Sequence, residues 1–355
     1  MPRTRVVVVE DSLTVRKRLV EVLSAAPDIE VVGEGGDGRS AIELCQRLRP
    51  DVITLDMMLP VMTGVAATEY IMAYCPTPIL IVSSSTNRGE LFRTYDALAA
   101  GAVEVLEKPR GDEMDGDWEQ KFLSLVKLVA RIKVITHPRA RLFNGRKDSD
   151  RSPASSSRPP KQAVRCIAIG ASTGGPAAVA QILGALPPDF PIPILLVIHI
   201  GTVFAPALAE WLDAQSKLRV TRALHGEPLP PLGVARVLMA PPEHHLVVRR
   251  GRLELNQDPE RHSCRPSVDA LFESLAVEES AGVIACLLTG MGRDGAAGLL
   301  ALRRAGATTI AQDEASSIVY GMPREAVQLG AASEVLPLDR IAPTLIALTA
   351  QRASR

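Results

Sequence analysis

The chain alternates short apolar runs with longer amphipathic stretches from its first residues onward. Over about 130 residues, the apolar runs predict five β-strands, and the stretches between and after them predict helices. The predicted strands are 5–9, 30–33, 52–56, 78–83 and 104–106, and the predicted helices are 14–23, 38–48, 64–75 and 88–99, with a last helix through Trp118, Phe122, Leu125, Val129 and Ile132. Five β-α units predict an open parallel sheet with its sites at the carboxyl ends of the strands.

The alternation stops from His137 to about Lys161, where serines, prolines and basic residues replace the apolar runs. Such a composition predicts a flexible linker. From Val164 the alternation restarts, with predicted strands at 166–169, 192–198, 236–240, 246–249, 283–288 and 308–311 and helices at 177–184, 204–215, 268–278, 296–305, 324–329 and 340–348. We therefore predict an α/β domain at 1–134, a linker at 135–162 and a second, doubly wound and mainly parallel α/β domain at 163–355.

The composition of the chain argues against several classes of protein. A chain of 355 residues suits two domains, and its 40 basic and 40 acidic residues leave no basic excess for nucleic acid or a membrane surface. No apolar run reaches the length of a membrane span, and the first residues lack a signal-peptide layout. The five cysteines are scattered without a CxxC spacing. We expect a soluble cytoplasmic protein that does not insert into a membrane.

Acidic residues collect at the carboxyl ends of the predicted strands of the first domain. Glu10 and Asp11 follow the first strand, Asp56 ends the third, and Lys108 follows the fifth. These charges could form a solvated rim, or the carboxylates could hold Mg²⁺, which prefers carboxylate oxygens and attracts a phosphoryl group. We favour the cation site, because the acids stand where a buried strand would otherwise continue with apolar residues.

The second domain opens with a strand, a glycine-rich turn that presents Ser172, and a helix start. The turn fits Gly-x-Ser-x-Gly, the pattern of a nucleophile elbow, and it could equally cradle a phosphate. A dinucleotide site is excluded, because the glycine spacing is not GxGxxG and His199, not an acid, ends the next strand.

Three polar residues of catalytic types follow three predicted strands of the second domain: Ser172, His199 and Asp294. Separately they could be a helix cap, a core histidine and the cap of a helix near Ala296. Together they favour a triad in which the imidazole takes the serine proton and the carboxylate orients the imidazole. The order Ser-His-Asp differs from the Ser-Asp-His order of α/β-hydrolases, which makes that fold improbable.

The first domain resembles the receiver domain of bacterial response regulators over its whole length. The residues that carry the resemblance are Glu10-Asp11, Asp56, Ser83-Ser84 and Lys108-Pro109. It implies a flavodoxin-like (βα)5 fold in which a chemotaxis-type histidine kinase phosphorylates Asp56. It also implies that Glu10, Asp11 and Asp56 hold Mg²⁺, that Lys108 pairs with the phosphoryl oxygens and that Ser83 hydrogen-bonds to one of them.

The second domain resembles the CheB family of chemotaxis protein-glutamate methylesterases. The matching blocks are 170–176 (Gly-Ala-Ser-Thr-Gly-Gly-Pro), 265–269 (Arg-Pro-Ser-Val-Asp), 288–295 (Leu-Thr-Gly-Met-Gly-Arg-Asp-Gly) and 312–323. The resemblance implies that Ser172 is the nucleophile, His199 the general base and Asp294 its orienting acid. The backbone N–H groups of Thr173 and Met291 would be the oxyanion donors, and no cofactor is called for in this domain.

Together the two resemblances imply a phosphorylation-activated serine esterase. Its substrates would be glutamate methyl esters, and also glutamines, of methyl-accepting chemotaxis proteins. The unphosphorylated receiver would cover the catalytic site. The alternative is a phosphorylation-dependent scaffold on a catalytically weak esterase fold in a non-motility pathway, and the presence of Ser172, His199 and Asp294 weighs against it. A DNA-binding response regulator is disfavoured by the lack of a basic helix-turn-helix pattern.

Overall fold

The structure is a computed structural model that describes residues 2–84, 87–109, 116–132, 134, 164–278 and 282–350. The chain divides into two compact units, Met1–Asp150 and Arg151–Arg355. The predicted linker, 135–162, lies outside the described residues, so the domain limits remain predictions. Among the described residues, no helix combines the length and the apolar character that crossing a bilayer requires.

The N-terminal unit contains the predicted parallel sheet. Its strands are β1 (Thr4–Val9), β2 (Ile29–Gly35), β3 (Val52–Leu55), β4 (Ile79–Ser83) and β5 (Glu104–Glu107), and its helices are α1 (Leu13–Ser24), α2 (Gly38–Leu48), α3 (Gly64–Tyr74), α4 (Arg88–Ala99) and α5 (Asp117–Val129). The strands lie in the order β2-β1-β3-β4-β5, and every pair is parallel. The (βα)5 prediction is therefore confirmed.

Polar residues just before four of the five helices of this unit set where these helices begin. The side chains of Ser12, Thr63 and Asn87 each accept a hydrogen bond from a backbone N–H three residues later, at the starts of α1, α3 and α4. Asp37 and Ser40 form a reciprocal capping box at the start of α2. Such caps satisfy N–H groups that have no partner within the helix, and each is worth about 1 kcal/mol.

The C-terminal unit is a second parallel sheet covered by helices. Its strands are β6 (Cys166–Ala171), β7 (Ile194–Ile198), β8 (Arg219–Arg222), β9 (Arg236–Met239), β10 (His245–Arg249), β11 (Arg252–Asn256), β12 (Val283–Leu287), β13 (Thr308–Gln312) and β14 (Glu334–Leu336). Its helices are α6 (Gly175–Ala185), α7 (Ala205–Gln215), α8 (Val268–Glu278), α9 (Ala296–Arg304), α10 (Met322–Gln328) and α11 (Leu338–Ala350).

Seven of these strands form one parallel sheet in the order β14-β13-β12-β6-β7-β9-β8. The doubly wound prediction is thus confirmed, although the apolar pattern did not reveal β8, β11 or β14. The predicted strand at 246–249 is present as β10, but it pairs with β11 in a separate antiparallel hairpin and does not join the main sheet. The sheet order places β12, β6 and β7 side by side, so the loops after these three strands meet at one edge.

Helix α8 packs directly on the first strand of this sheet. Val268, Leu271, Phe272 and Leu275 are buried in the same apolar cluster as β6 and β12. At Gly170 the contact is so close that an added Cβ would lie 2.2 Å from Cγ1 of Val268. A side chain at position 170 would therefore push α8 away from the strand.

We expect Gly170→Ala to destabilise the C-terminal unit by about 1–3 kcal/mol, because the buried, β-branched Val268 cannot move aside. Gly184→Ala is the matched control: its Cβ would meet only the Gln215 carbonyl oxygen, at 3.4 Å, and alanine favours the helix. Urea unfolding of the full chain, followed by circular dichroism, measures both. Equal unfolding midpoints for Gly170→Ala and the parent chain would contradict the steric argument.

Candidate active site

Ser172 stands in the turn between β6 and α6. Its backbone N–H donates to the Thr289 carbonyl at 3.0 Å, and its carbonyl accepts from the N–H of Gly175 at 2.6 Å. Gly174, not Ser172, is the N-cap of α6, so helix capping does not account for the serine. Its partly exposed hydroxyl lies at the carboxyl end of the sheet.

His199 lies beside Ser172, because β6 and β7 are paired in register. Ala171 pairs with Ile198, and the N–H of His199 donates to the Ala171 carbonyl at 3.0 Å. Ser172 and His199 therefore follow directly after paired positions. Neighbouring strands are about 4.8 Å apart, which places the two residues side by side.

Asp294 lies in the loop between β12 and α9, and its carboxylate is buried. Its Oδ2 accepts from His199 Nε2 at 2.9 Å and from the Val268 N–H at 2.6 Å, while Oδ1 accepts from Ser267 Oγ at 2.7 Å and from the Asp269 N–H at 3.1 Å. Two of these donors are free N–H groups at the positive end of α8. Asp294 therefore binds the start of α8, and the N-cap of α9 has no side-chain hydrogen bond.

The contact between His199 and Asp294 shifts the protonation of both. Burial opposes a charged imidazole, but hydrogen bonds and charges from Asp294 and Cys264 raise the pKa of His199 to about 9. Burial favours a neutral Asp294, yet His199, Ser267 and the Val268 N–H lower its pKa. The pair is therefore ionic at neutral pH, and the fraction of His199 able to accept a proton grows as the pH rises toward 9.

Ser172 and His199 lie side by side, but within the described part of the chain the Ser172 hydroxyl makes no hydrogen bond to His199. Nε2 of the imidazole is hydrogen-bonded to Asp294, and Nδ1 lies 3.6 Å from Cys264 Sγ. Of the predicted triad, His199 and Asp294 are thus in contact and Ser172 lies alongside them.

The predicted oxyanion donors flank the serine. Thr173 follows Ser172 in the chain, and Met291 follows Gly290, where an added Cβ would lie 2.7 Å from the Cβ of Ser172. Only glycine allows so close an approach. Thr289 Oγ1 donates to the Thr173 carbonyl at 2.9 Å and so joins the two loops. Among the described residues, the Met291 N–H has no hydrogen-bond acceptor.

A cluster with metal-ligand character includes Asp294 and two residues near it, but its hydrogen bonds assign it to helix capping. Ligand atoms of His262, Asp269 and Asp294 lie within 4.8 Å of one another. Asp269 accepts the Gly298 N–H at 2.7 Å and contacts His262 Nε2 at 3.1 Å, and Asp294 accepts the N–H groups of α8. These donors already satisfy both carboxylates, so we assign no metal here.

The acids of the N-terminal unit come together as predicted. Oxygen atoms of Glu10, Asp11 and Asp56 lie within 4.8 Å of one another, with Glu10 and Asp56 buried and Asp11 exposed. Lys108 reaches the cluster from the end of β5, with Nζ 2.9 Å from Glu10 Oε2 and 3.0 Å from Asp56 Oδ2.

This cluster has the properties that a hard cation requires. Burial raises the pKa of Glu10 to about 7, against the hydrogen bond from Lys108, and burial likewise raises the pKa of Asp56. Glu10 Oε2 is buried and has no hydrogen-bond partner among the described residues, although its ion pair with Lys108 remains. A divalent cation would stabilise both buried acids in their charged forms.

Ser83, the predicted switch residue, has a different partner in this structure. Its hydroxyl donates to Glu90 Oε1 at 2.9 Å, and the same oxygen accepts from the Ser84 N–H at 3.1 Å and from the Ser84 hydroxyl at 2.6 Å. Glu90 lies in the first turn of α4 and is buried. The end of β4 is therefore held to α4 and not to the acidic cluster.

Three side chains that sequence reasoning missed contact the predicted ones. Ser267 precedes α8 at a capping position, a signal that predicts a cap but not Asp294 as its partner. Glu90 and Cys264 carry no comparable signal. Cys264 reaches His199 across 65 positions of the chain, and only the fold brings the two together.

Comparisons with known proteins agree with this architecture. The family model described as CheB methylesterase matches residues 167–345, and the response regulator receiver domain model matches residues 6–114. A Nitrosospira multiformis protein named protein-glutamate methylesterase/protein-glutamine glutaminase is 44% identical over 352 residues, or 98% of this chain and 97% of that protein. An Anaeromyxobacter dehalogenans protein named protein-glutamate methylesterase/protein-glutamine glutaminase 2 is 43% identical over 345 residues, or 97% of each chain.

A solved structure is similar to the C-terminal unit. The crystal structure of the Thermotoga maritima CheB methylesterase catalytic domain is 36% identical, with a TM-score of 0.50. The similarity covers 53% of this chain and 100% of that one.

We expect Asp294→Asn to lower the pKa of His199 from about 9 to or below its ordinary value of 6.5, because the variant removes the negative charge while the imidazole stays buried. Asp258→Asn, which alters an exposed acid on the same unit, is the matched control. NMR titration of the histidine resonances measures the change. An unaltered His199 titration in Asp294→Asn would show that the carboxylate does not govern the imidazole.

Proposed function

The chain belongs to the CheB methylesterase family, with a response regulator receiver domain ahead of the esterase domain, and from this premise we propose that it hydrolyses glutamate methyl esters on chemoreceptors. It releases methanol there, and at the same site it deamidates receptor glutamines. The observation that carries the proposal is the hydrogen-bonded pair of His199 and the buried Asp294 beside Ser172. The reaction takes place in the cytoplasm, on the helical cytoplasmic region of a methyl-accepting chemotaxis protein.

The reaction proceeds through Ser172. Its oxygen bonds to the ester carbonyl carbon while its proton passes to Nδ1 of His199, the ring nitrogen that Asp294 does not hold. The bond to the methoxy group breaks, and methanol leaves with the proton from His199. Water, deprotonated by the same nitrogen, then attacks the acyl-serine and releases glutamate. With glutamine as substrate, the leaving group is ammonia.

Backbone donors stabilise the negative oxygen of the tetrahedral intermediates. The Met291 N–H, which has no acceptor among the described residues, supports a role as one donor, and the Thr173 N–H is the second. The close approach of Gly290 to Ser172 supports this assignment, because it brings the Met291 peptide next to the nucleophile.

We expect Ser172→Ala and His199→Gln each to reduce methanol release by at least about a thousandfold, because each variant removes one end of the proton transfer. His225→Gln, which alters an exposed histidine of the same unit, should keep the parent activity. The assay measures methanol released from membranes that carry methylated receptors. Normal release by Ser172→Ala would refute the assignment of the nucleophile.

In the proposed function, a histidine kinase controls the esterase through the receiver domain. Asp56 accepts the phosphoryl group, and Glu10, Asp11 and Asp56 would hold Mg²⁺, which neutralises charge during phosphoryl transfer. The buried Glu10 Oε2 without a hydrogen bond supports this set of ligands. Lys108 would contact the phosphoryl oxygens, and its ion pair with Asp56 at 3.0 Å supports this role. Ser83 would reach the phosphoryl group only after leaving Glu90.

We expect acetyl phosphate with Mg²⁺ to increase the methylesterase activity of the parent chain and to leave Asp56→Asn unstimulated, because the variant has no phosphoacceptor. Glu69→Gln changes an exposed acid of the same unit and should respond like the parent. Methanol release with and without the phosphodonor measures the response. Equal stimulation of Asp56→Asn and the parent would exclude Asp56 as the control point.

A further inference from the structure

A tight turn before α8 holds a thiol against the proposed catalytic base. Arg261 and Cys264 exchange both backbone hydrogen bonds, at 3.2 and 2.9 Å, around the two residues His262 and Ser263. His262 and Ser263 have φ angles of 52° and 59°. A two-residue turn of this kind normally uses glycine or asparagine, because positive φ is unfavourable for other side chains.

Side chains on both sides fix this turn in place. The Arg261 guanidinium forms two hydrogen bonds to Glu273 of α8, at 2.6 and 2.7 Å. The His262 ring lies 3.1 Å from the Asp269 carboxylate and accepts from Arg293 Nε at 3.3 Å. The turn is therefore clamped to the beginning of α8 and to the loop that carries Asp294. Unfavourable backbone of this kind persists where the surroundings over-determine it.

The clamped turn brings Cys264 to the imidazole. Its Sγ lies 3.6 Å from Nδ1 of His199, the nitrogen opposite the one bound by Asp294. Cys264 is partly exposed, whereas the other four cysteines, Cys45, Cys75, Cys166 and Cys286, are buried. Both ring nitrogens of His199 thus have a partner in the resting structure, and neither partner is Ser172.

We propose that Cys264 is a positioning residue of the esterase site: its sulfur holds Nδ1 of His199 in the resting enzyme and yields that nitrogen to the Ser172 hydroxyl when the reaction begins. The proposal rests on the role of His199 in the proposed function. It adds to Asp294 a second side chain that contacts the base in the resting structure.

The charges around His199 determine how this contact affects the pKa of the imidazole. The ionisable groups that face the imidazole are Asp294, from the loop before α9, and Cys264, from the turn before α8. Behind Asp294 lie Asp269, His262, Arg261 and Arg293. Burial opposes the charged imidazole, and the hydrogen bonds and charges of Asp294 and Cys264 together raise the pKa of His199 to about 9.

Removal of the sulfur lowers the pKa of His199. The sulfur lies 3.6 Å from Nδ1, and a hydrogen bond that stabilises the charged form of a base raises its pKa, so we expect a fall of roughly one unit when the sulfur is lost. The base must be neutral to accept the serine proton, so kcat/KM rises with pH until His199 is deprotonated. A lower pKa moves this rise to lower pH.

The first test compares the pH dependence of kcat/KM for methanol release in the full parent chain, Cys264→Ala and Cys264→Ser. We expect Cys264→Ala to be shifted by roughly one pH unit to the acid side, to be about tenfold faster than the parent at pH 7 and to match it above pH 10, and Cys264→Ser to be shifted less. Serine keeps a hydrogen-bonding group but does not ionise in this range. Unshifted profiles in variants with the parent's thermal stability would overturn the proposal.

The second test needs no substrate turnover, so it is independent of the proposed function. Iodoacetamide forms a carbon–sulfur bond with the thiolate and expels iodide, and the buried cysteines are protected. At pH 7 we expect Cys264 to be alkylated about tenfold faster in the parent than in His199→Gln, measured by mass spectrometry, with His225→Gln as the control. Equal rates in the parent and His199→Gln would show that the thiol and the imidazole are not coupled.

Alkylation also reports on the reaction. The carboxamidomethyl group would occupy the space beside Nδ1, so the alkylated parent should lose methanol release, whereas Cys264→Ala treated in the same way keeps its activity. Full activity of the alkylated parent would overturn the positioning role. If Ser172→Ala retained activity, the proposed function would fail, and the alkylation rates would still decide whether Cys264 and His199 interact.

Discussion

The carboxylate of Asp294 accepts four hydrogen bonds, and it cannot be moved without disturbing both the residue after β7 and the start of α8. A buried carboxylate costs several kcal/mol unless its charge is paired and its oxygens are hydrogen-bonded. Here the positive end of α8, the Ser267 hydroxyl and the His199 imidazole meet that requirement together. The group that orients the imidazole is therefore also the group that holds α8 against the loop after β12.

Much of the fold could be predicted because buried parallel strands appear in the sequence as continuous apolar runs. Val6–Val9 and Ile194–Ile198 are buried at every position, and runs of this kind have few other structural interpretations. The strands that escaped prediction are short and lie at the sheet edges or in a hairpin: Arg219–Arg222 and Glu334–Leu336 mix charged and apolar residues. Pairing with a neighbour, not an intrinsic pattern, makes them strands. The hairpin of β10 and β11 likewise depends on tertiary contacts.

The candidate site likewise contains residues that the sequence predicts and residues that it does not. Ser172, His199 and Asp294 could be found because each follows a strand, and the ends of adjacent parallel strands share one edge of the sheet. The groups that set their protonation could not be found in this way. Ser267 and Cys264 approach from the segment before α8, and their distances to Asp294 and His199 exist only once α8 has packed on Gly170. Local pattern indicates the proposed catalytic residues, and packing determines which groups surround them.

The hydrogen bonding of Ser83 has a consequence for how the N-terminal unit can respond. A hydroxyl has a single hydrogen to give, and here that hydrogen goes to Glu90, whose Oε1 is also bound by Ser84. An anion created at Asp56 would compete with a second, built-in anion for the same hydrogen. The Ser83 hydroxyl could therefore donate to Glu90 or to a group on Asp56, but not to both at once.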